Sequence, residues 1–154
     1  MAEIRLEPIG YVRGGRTEPV DHDWDSVEAV IELDGSRFGP EVMAGLDEFS
    51  HLDVVFHFHG VGEDEVNLGA RRPRGRADWP EVGIFAQRAK NRPNRLGLAT
   101  CQLLSVDGVE LHVRGLDAID GTPVLDIKPY MLEFGPRHDV VQPAWSHELM
   151  AGYY

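Results

Sequence analysis

The pattern that most restricts the possible folds of this chain is the alternation of side chains over His51–His59, HLDVVFHFH. Leu52, Val54, Phe56 and Phe58 fall on one face of an extended chain, because successive side chains of a strand point to opposite sides. The other face is mostly polar and is the face on which chemistry is expected. The segment is therefore predicted to be a strand with two different faces.

Other short strands separated by turns precede and follow this segment. The predicted strands are Ile4–Arg13, Val27–Leu33, Leu96–Val106, Val109–Arg114 and Val124–Lys128. Asp107-Gly108 separates two of them, and Asp-Gly pairs favour two-residue hairpin turns. Helical patterns are confined to Phe38–Phe49 and to a tail after Pro143. The chain is therefore predicted to be mainly β, a barrel or a sandwich with short helices, rather than a series of βαβ units.

The length of 154 residues fits one domain with a single core. We expect a barrel domain over residues 1–135, with a long loop rich in Gly, Arg and Pro at Gly60–Glu81, and a tail over residues 136–154. The apolar residues of the tail suit packing on the barrel or on a second subunit; they are Trp145, Leu149, Met150 and Tyr153. No stretch approaches the roughly 20 apolar residues of a membrane span, and the first residues lack a signal-peptide pattern. A cytoplasmic protein with no membrane partner is predicted.

Positive charge is concentrated in one segment of an acidic chain. The net charge is −11, yet the segment Arg71–Arg95 carries eight basic and two acidic residues. We call this segment the cationic island. It indicates either a site that attracts an anionic partner or a solvated basic turn. The overall charge argues against indiscriminate nucleic-acid binding, because phosphate contacts dominate such binding.

The polar face of His51–His59 is a candidate metal site. His51, Asp53, His57 and His59 would project together, and such side chains bind zinc or iron. Hydrogen bonding within a half-buried sheet is the alternative role. The lone Cys101 excludes an intrachain disulfide and lies in a predicted strand, where a buried thiol is favoured over a nucleophile.

Charges of both signs in Leu116–Tyr130 form a second candidate site. Asp117, Asp120 and Asp126, with Lys128, suit a zwitterionic ligand, although Asp126 and Lys128 also suit a structural ion pair. The glycine-rich phosphate loops of Rossmann and P-loop proteins are absent from the sequence, so a non-Rossmann fold is expected.

Five sequence blocks, in order along nearly the whole chain, resemble the TsaA-like or TrmO-type family. They are Pro8-Ile9-Gly10, Leu46–Leu52, Gly83–Arg88, Asn91–Gly97 and Leu116–Tyr130. The resemblance implies a β-barrel that binds S-adenosylmethionine without a Rossmann fold, as a homodimer with the cofactor near the subunit interface. It also implies N6-methylation of threonylcarbamoyladenosine beside the anticodon of tRNA.

The resemblance assigns roles to individual residues. The implied cofactor-binding residues are His51, Phe85, Arg88, Arg92, Asn94, Gly97, Leu98, Asp117, Asp120 and Leu125. Asp126, Lys128 and Tyr130 are predicted near the transferring methyl group, with Asp126 or Tyr130 taking the amine proton. The predicted tRNA contacts are Arg71, Arg72, Arg74, Arg76, Lys90 and Arg95. No resident metal is predicted.

Lys90 and Arg95 differ from the residues found at these positions in many members of the family. We therefore expect them to face the methyl acceptor or a second subunit. Two alternative functions are a methyltransferase acting on a small molecule and a non-catalytic module that binds a cofactor or a metal.

Overall fold

The computed structural model describes residues 2–154 and shows a closed β-barrel. The barrel strands are β1 (Gly10–Arg13), β2 (Glu28–Leu33), β3 (His51–His57), β6 (Leu96–Asp107), β7 (Glu110–Arg114) and β8 (Pro123–Pro129), and a separate antiparallel pair consists of β4 (Ala70–Arg71) and β5 (Val82–Gly83). Around the barrel the order is β1-β2-β7-β6-β3-β8, and all neighbours are antiparallel. The prediction of a mainly β, non-Rossmann fold is confirmed, with the barrel as the correct architecture.

The helical elements are short. Turns of 3₁₀ helix lie at Pro40–Met43, Leu46–Glu48, Glu63–Glu65, Pro73–Gly75, Ile84–Ala86 and Leu132–Phe134, and the α-helix α1 spans Ala144–Met150. No helix within residues 2–154 has the length and apolar character needed to cross a membrane.

The interior of the barrel contains the apolar face that the alternation predicts. Leu52 and Val54 have no exposed surface, and Phe56 is 2% exposed. Buried residues of the other barrel strands pack with them, among them Val12, Ile31, Ala99, Cys101, Leu111, Val113 and Val124. Burying one large aliphatic side chain stabilises the fold by roughly 1.5–3 kcal/mol. On β6, Gly97 faces this core, and a Cβ there would overlap the ring of Phe56.

Three predicted elements differ from the structure. The first strand begins at Gly10 rather than Ile4, because Pro8 has no N–H for a sheet ladder. Phe38–Phe49 is not one helix but two 3₁₀ turns, since Gly45 between them adopts a φ of +86°. Strand β3 ends at His57: the amide of Phe58 still bonds the carbonyl of Arg95 at 2.8 Å in the register of β3 and β6, but the amide of His59 bonds the carbonyl of His57 at 2.9 Å in a turn.

The hairpin between β6 and β7 is confirmed with its turn moved by one residue. Asp107 pairs with Glu110, so the two-residue loop is Gly108-Val109 rather than Asp107-Gly108. Gly108 has a φ of +60°, a conformation that glycine adopts without strain. A bulge between Leu103 and Ser105 lies further along the same pair of strands.

The segment Gly60–Glu81, predicted to be a long loop, is anchored at several points. Arg71, in the middle of the segment, pairs with Val82 in the small β4-β5 sheet. Trp79 is 2% exposed, and its carbonyl accepts a 2.5 Å hydrogen bond from Arg72. Buried tryptophan surface and backbone pairing hold this segment against the rest of the protein.

The tail packs on its own barrel. The amides of Asp23 and Trp24 donate to the carbonyls of Gly152 and Tyr153, each at 2.8 Å. In addition, the indole N–H of Trp79 donates to Glu148 of α1 at 2.8 Å. The last residues of the chain are thereby brought beside the turn that follows β7.

Candidate ligand-binding site

Strand β6 provides the edge on which the candidate site is built. It pairs with β3 over Leu96–Gln102 and with β7 over Gln102–Asp107. The first half of β6 therefore has one strand neighbour among the described residues, and its second edge is open to other groups. Arg88 uses this edge, since its Nη2 donates to the carbonyl of Leu98 at 2.9 Å.

Asp117 lies beside Arg88 at this edge. It follows β7 and a turn in which Gly115 adopts a φ of +82°. Burial raises the pKa of Asp117, and the positive charge of Arg88 is among the influences that oppose this rise, which places Arg88 within electrostatic range of the carboxyl group. Three predicted cofactor-binding residues, Arg88, Leu98 and Asp117, thus come from three separate segments and meet at one place.

Asp117 carries a buried acceptor atom. Burial raises the pKa of its carboxyl group, while the hydroxyl of Tyr153, its own backbone and Arg88 oppose that rise. Tyr153 donates to Oδ2, whereas the buried Oδ1 has no hydrogen-bond partner. A buried acceptor without a partner is unfavourable by about 1–3 kcal/mol. An N–H or O–H group of a ligand would remove that penalty.

No pattern in the sequence indicates that Tyr153 contacts Asp117. The helical spacing of the tail marked Tyr153 only as an apolar packing residue, and the residues lie 36 positions apart. Burial, followed by the charge of Asp117, raises the pKa of the Tyr153 hydroxyl, which therefore stays protonated as a donor. Its ring lies 4.9 Å from that of Tyr154, centroid to centroid.

The loop that precedes β6 is held in shape by hydrogen bonds from the side chain of Arg92 to the loop's own backbone. Arg92 donates to the carbonyls of Gln87, at 2.8 Å, and Ala89, at 3.3 Å. Asn94 is exposed, and Phe85 is 80% exposed although it is a large aromatic residue. An exposed aromatic ring three residues before Arg88 in the chain offers a surface on which a purine base can stack.

His51, Asp120 and Leu125, which are also predicted to bind the cofactor, have other positions and partners in the barrel. Asp120 Oδ1 accepts a 2.8 Å bond from the amide of Gly14, which braces the turn after β1. His51 is exposed at the start of β3 and bonds Ser50 at 2.7 Å. Leu125 occupies the register shift between β8 and β3. Among the described residues, no hydrogen bond or ion pair links these three residues to the Arg88 cluster, by which we mean Arg88, Leu98 and Asp117.

The residues predicted near the methyl group lie on and just after β8. Asp126 and Lys128 point outward and form an ion pair with a distance of 3.1 Å between Oδ2 and Nζ. The amide of Tyr130 donates to the carbonyl of His51 at 3.0 Å. Asp126 is the register partner of Val55 on β3, and Val55 is the register partner of Leu98 on β6. One row across the outer face therefore joins Asp126 to the β6 edge that Arg88 contacts.

Most arginines predicted to contact tRNA are bonded within the chain. Arg71 donates to Asn91 at 3.3 Å, and Arg72 to the carbonyl of Trp79 at 2.5 Å. Arg74 lies 3.4 Å from Asp21. These contacts give part of the cationic island a structural role.

Arg76 and Arg95 also have partners within the chain. Arg76 makes two hydrogen bonds to Asp78 and lies 4.0 Å above the ring of Trp79. Arg95 donates to the carbonyl of Val61 at 2.7 Å. Lys90 is exposed and forms no ion pair within residues 2–154. Arg72, Arg74 and Arg76 are exposed as well, but Lys90 is the member of the predicted set whose side chain has no hydrogen bond or ion pair with another described residue.

The histidines of the polar face do not converge on a metal position. Within the described part of the chain, the one group with three potential ligands in reach of each other is Asp107, Glu110 and His112, on the β6-β7 hairpin. Glu110 there is already bonded to Arg13 at 2.6 Å. On β3, Asp53 instead accepts a 2.5 Å hydrogen bond from Thr100. The hydrogen-bonding role considered for this face fits Asp53.

Cys101 is a core residue, as its sequence context predicts. It is 2% exposed, and burial, followed by the charges of Asp117 and Asp53, raises its pKa to about 12. A thiol with such a pKa is protonated at neutral pH and is a poor nucleophile.

Comparisons with known proteins converge on one family. A family model described as the tRNA-methyltransferase O N-terminal domain matches residues 18–135. A rat protein named tRNA (adenine(37)-N6)-methyltransferase is 36% identical over 155 residues and covers 96% of this chain. A Pseudomonas aeruginosa protein named putative S-adenosylmethionine-dependent methyltransferase RcsF is 40% identical over 144 residues and covers 90% of this chain.

A solved structure shares the fold. The crystal structure of TrmO from P. aeruginosa matches 94% of this chain and 62% of its own, with a TM-score of 0.76 and 27% identity. In length, this chain spans 36% of the rat protein and 58% of the P. aeruginosa methyltransferase. The shared part is the barrel on which the Arg88 cluster lies.

Proposed function

Because this chain belongs to the family of the tRNA-methyltransferase O N-terminal domain, we propose that it is an S-adenosylmethionine-dependent methyltransferase that acts on tRNA. The acceptor that we propose is N6 of threonylcarbamoyladenosine next to the anticodon. The names of the rat and Pseudomonas relatives support the cofactor and the class of acceptor.

The observation that carries this proposal is the row Asp126, Val55, Leu98 on the outer face of the barrel. Neighbouring strands lie about 4.8 Å apart, so Asp126 and the β6 edge are separated by roughly 10 Å. Leu98 is 53% exposed and supplies an apolar floor between two charged clusters. A ligand with polar ends and an apolar middle would fit across this row.

The residues present fit S-adenosylmethionine. The buried Oδ1 of Asp117 is an acceptor that lacks a donor, and Arg88 next to it provides a cation for a carboxylate. Phe85 offers an aromatic face for adenine. When bound, the cofactor supplies a methyl group on a sulfonium, which is a good leaving group. We propose that Arg92, Asn94 and Gly97 keep the loop and β6 in the shape that this site requires.

Methyl transfer is an in-line displacement, so the main task of the protein is orientation. The lone pair of the acceptor nitrogen forms the new C–N bond as the C–S bond breaks, and the nitrogen then loses a proton. Asp126 is our candidate to take that proton. Its partner Lys128, 3.1 Å away, fixes the direction of its carboxylate, and Tyr130 provides an alternative relay.

We propose a homodimer in the cytoplasm. After β8, the segment 131–142 exposes several large apolar side chains, namely Leu132 (80%), Phe134 (85%), Val140 (67%) and Val141 (91%). Scattered apolar residues are common on surfaces, but a concentration in one segment is typical of interaction sites. A second copy of the chain would cover them.

A small-molecule acceptor is the second candidate function. It is favoured by the contacts of the cationic island, because five of the six predicted tRNA-binding side chains are bonded within the chain. Of the six, Lys90 alone has no side-chain partner among the described residues, so phosphate contacts by the other five would compete with existing bonds, and affinity for nucleic acid depends mainly on phosphate contacts.

Two measurements test these proposals. Calorimetric titration with S-adenosylmethionine is expected to show stoichiometric binding by the wild-type protein, and no binding would remove the cofactor from the proposal. Transfer of a labelled methyl group to bulk tRNA, with analysis of the modified nucleoside, tests the acceptor. Tight cofactor binding without transfer to tRNA would favour the small-molecule alternative.

A further inference from the structure

Tyr153 reaches the candidate site through a fixed attachment rather than as a loose chain end. Its carbonyl accepts from the amide of Trp24 at 2.8 Å, and the carbonyl of Gly152 accepts from Asp23 at 2.8 Å. Trp24 is 2% exposed, so the surface that receives the tail is part of a packed region. One turn earlier, Glu148 is bonded to Trp79. The hydroxyl of Tyr153 is therefore held in a defined position.

The two carboxylate oxygens of Asp117 have different partners. Oδ2 accepts the hydroxyl proton of Tyr153, and the buried Oδ1 is without a partner. An Asp carboxylate that is bonded on one side cannot rotate freely about its last torsion. Oδ1 is thus held in one orientation, which lowers the entropy lost when a ligand donor binds to it.

We infer that Tyr153 is a positioning residue of the cofactor site, and that its hydroxyl holds Asp117 so that Oδ1 accepts a hydrogen bond from an N–H or O–H group of S-adenosylmethionine. This inference rests on the proposed function. It adds a residue of the tail, outside the residues 18–135 that the family model matches, to the site.

The charged and titratable groups around Asp117 set the expected pH dependence. Arg88 from the loop and Tyr153 from the tail stabilise its ionised form, whereas burial favours the neutral form. Cys101 of β6 and Tyr154 also face it, and both have their pKa raised to about 12, so they stay neutral below about pH 10. Removing the Tyr153 hydroxyl would raise the pKa of Asp117 further, and Asp117 would become protonated at a higher pH.

The test is calorimetric titration of the full chain and its variants with S-adenosylmethionine. Tyr153→Phe is expected to weaken affinity about tenfold, the typical effect of losing a hydrogen bond to a charged group. The loss should grow as the pH falls, because Asp117 of the variant becomes protonated at a higher pH than in the wild type and the ionised carboxylate is the stronger acceptor. Tyr154→Phe is the matched control, since it removes a neighbouring hydroxyl of the same segment that does not bond Asp117.

A double-mutant comparison separates positioning from a merely structural role. If Tyr153 acts through Asp117, then Tyr153→Phe in an Asp117→Asn background should cause less than about twofold further loss. A tail that simply detaches would expose Asp117, lower its pKa, and flatten the pH profile instead of steepening it. Equal affinities for wild type and Tyr153→Phe at every pH would overturn the inference. No binding by the wild type would instead refute the proposed function.

Discussion

Arg88 and Leu98 are joined by a hydrogen bond of 2.9 Å from a guanidinium nitrogen to a backbone carbonyl. The bond exists because β7 pairs with only the second half of β6 and leaves the first half with an open edge. A side chain from the preceding loop takes the position that a strand would otherwise occupy. The candidate site is therefore a consequence of how the barrel closes.

Replacing Arg88 by alanine should weaken the binding of S-adenosylmethionine by at least about tenfold. The substitution removes the cation beside Asp117 and releases the loop from β6. Titration calorimetry measures the effect. Arg5→Ala is the control, since Arg5 is an arginine with an 87% exposed side chain near the start of the chain and has no role in the proposed site. Equal losses in both variants would indicate a general charge effect.

Asp126→Asn should reduce the rate of methyl transfer about 100-fold or more while leaving cofactor affinity within about twofold. A general base contributes typically 10²–10⁴-fold, and Asp126 is exposed on β8 away from Arg88. Single-turnover assays with labelled cofactor measure the rate. Lys128→Ala should have a smaller effect, because it removes only the partner that orients the carboxylate. A parallel loss of cofactor affinity in Asp126→Asn would contradict this division of roles.

Gly97→Ala should destabilise the protein by about 1–3 kcal/mol, because the added methyl group would overlap the ring of Phe56. Chemical denaturation measures the free energy of unfolding. Gly83→Ala is the matched control, since a Cβ there meets no atom within 4 Å. A second variant, Phe56→Leu, should reduce the cost of Gly97→Ala by providing space. If Gly97→Ala were as stable as the wild type, Gly97 would be required for the ligand rather than for the core.

Cys101 should be unreactive toward thiol reagents at about pH 8. Its pKa is raised to about 12, so the thiolate fraction at that pH is on the order of one in ten thousand, and the side chain is 2% exposed. Because the thiolate is the reactive form, the rate of labelling should rise steeply as the pH is raised toward about 12 and should fall further as the pH is lowered. The unfolded protein should release one equivalent of thiol, as the sequence contains one cysteine. Fast stoichiometric labelling of the folded protein would reopen a nucleophilic role.

The sequence was sufficient for elements whose stability depends on local pattern. The alternation around Leu52, Val54 and Phe56 predicts which face enters the core, and the Asp-Gly pair predicts a hairpin to within one residue. It was not sufficient where residues far apart in the chain meet. Tyr153 and Asp117 are joined only after the tail docks on Trp24, and no periodicity carries that information.

The cationic island shows a further limit of sequence reading. A count of charges predicts a surface for phosphates but does not reveal which arginines are already bonded within the fold. Arg72 and Arg95 donate to backbone carbonyls, and their roles become visible only when the carbonyls of Trp79 and Val61 are in place.

Lys90, whose side chain has no partner in the fold, and Arg76, which is bonded to Asp78, should respond differently to substitution by alanine. Lys90 is exposed, so its loss should weaken tRNA binding and lower the slope of log affinity against log salt by just under one, with stability unchanged. Arg76 is paired with Asp78 and stacked on Trp79, so its loss should reduce stability and leave the salt slope nearly unchanged. Filter binding across a salt series, together with chemical denaturation, measures both effects. If Arg76→Ala lowered the salt slope as much as Lys90→Ala, Arg76 would leave Asp78 to contact phosphate, and the whole island would again be a surface for tRNA.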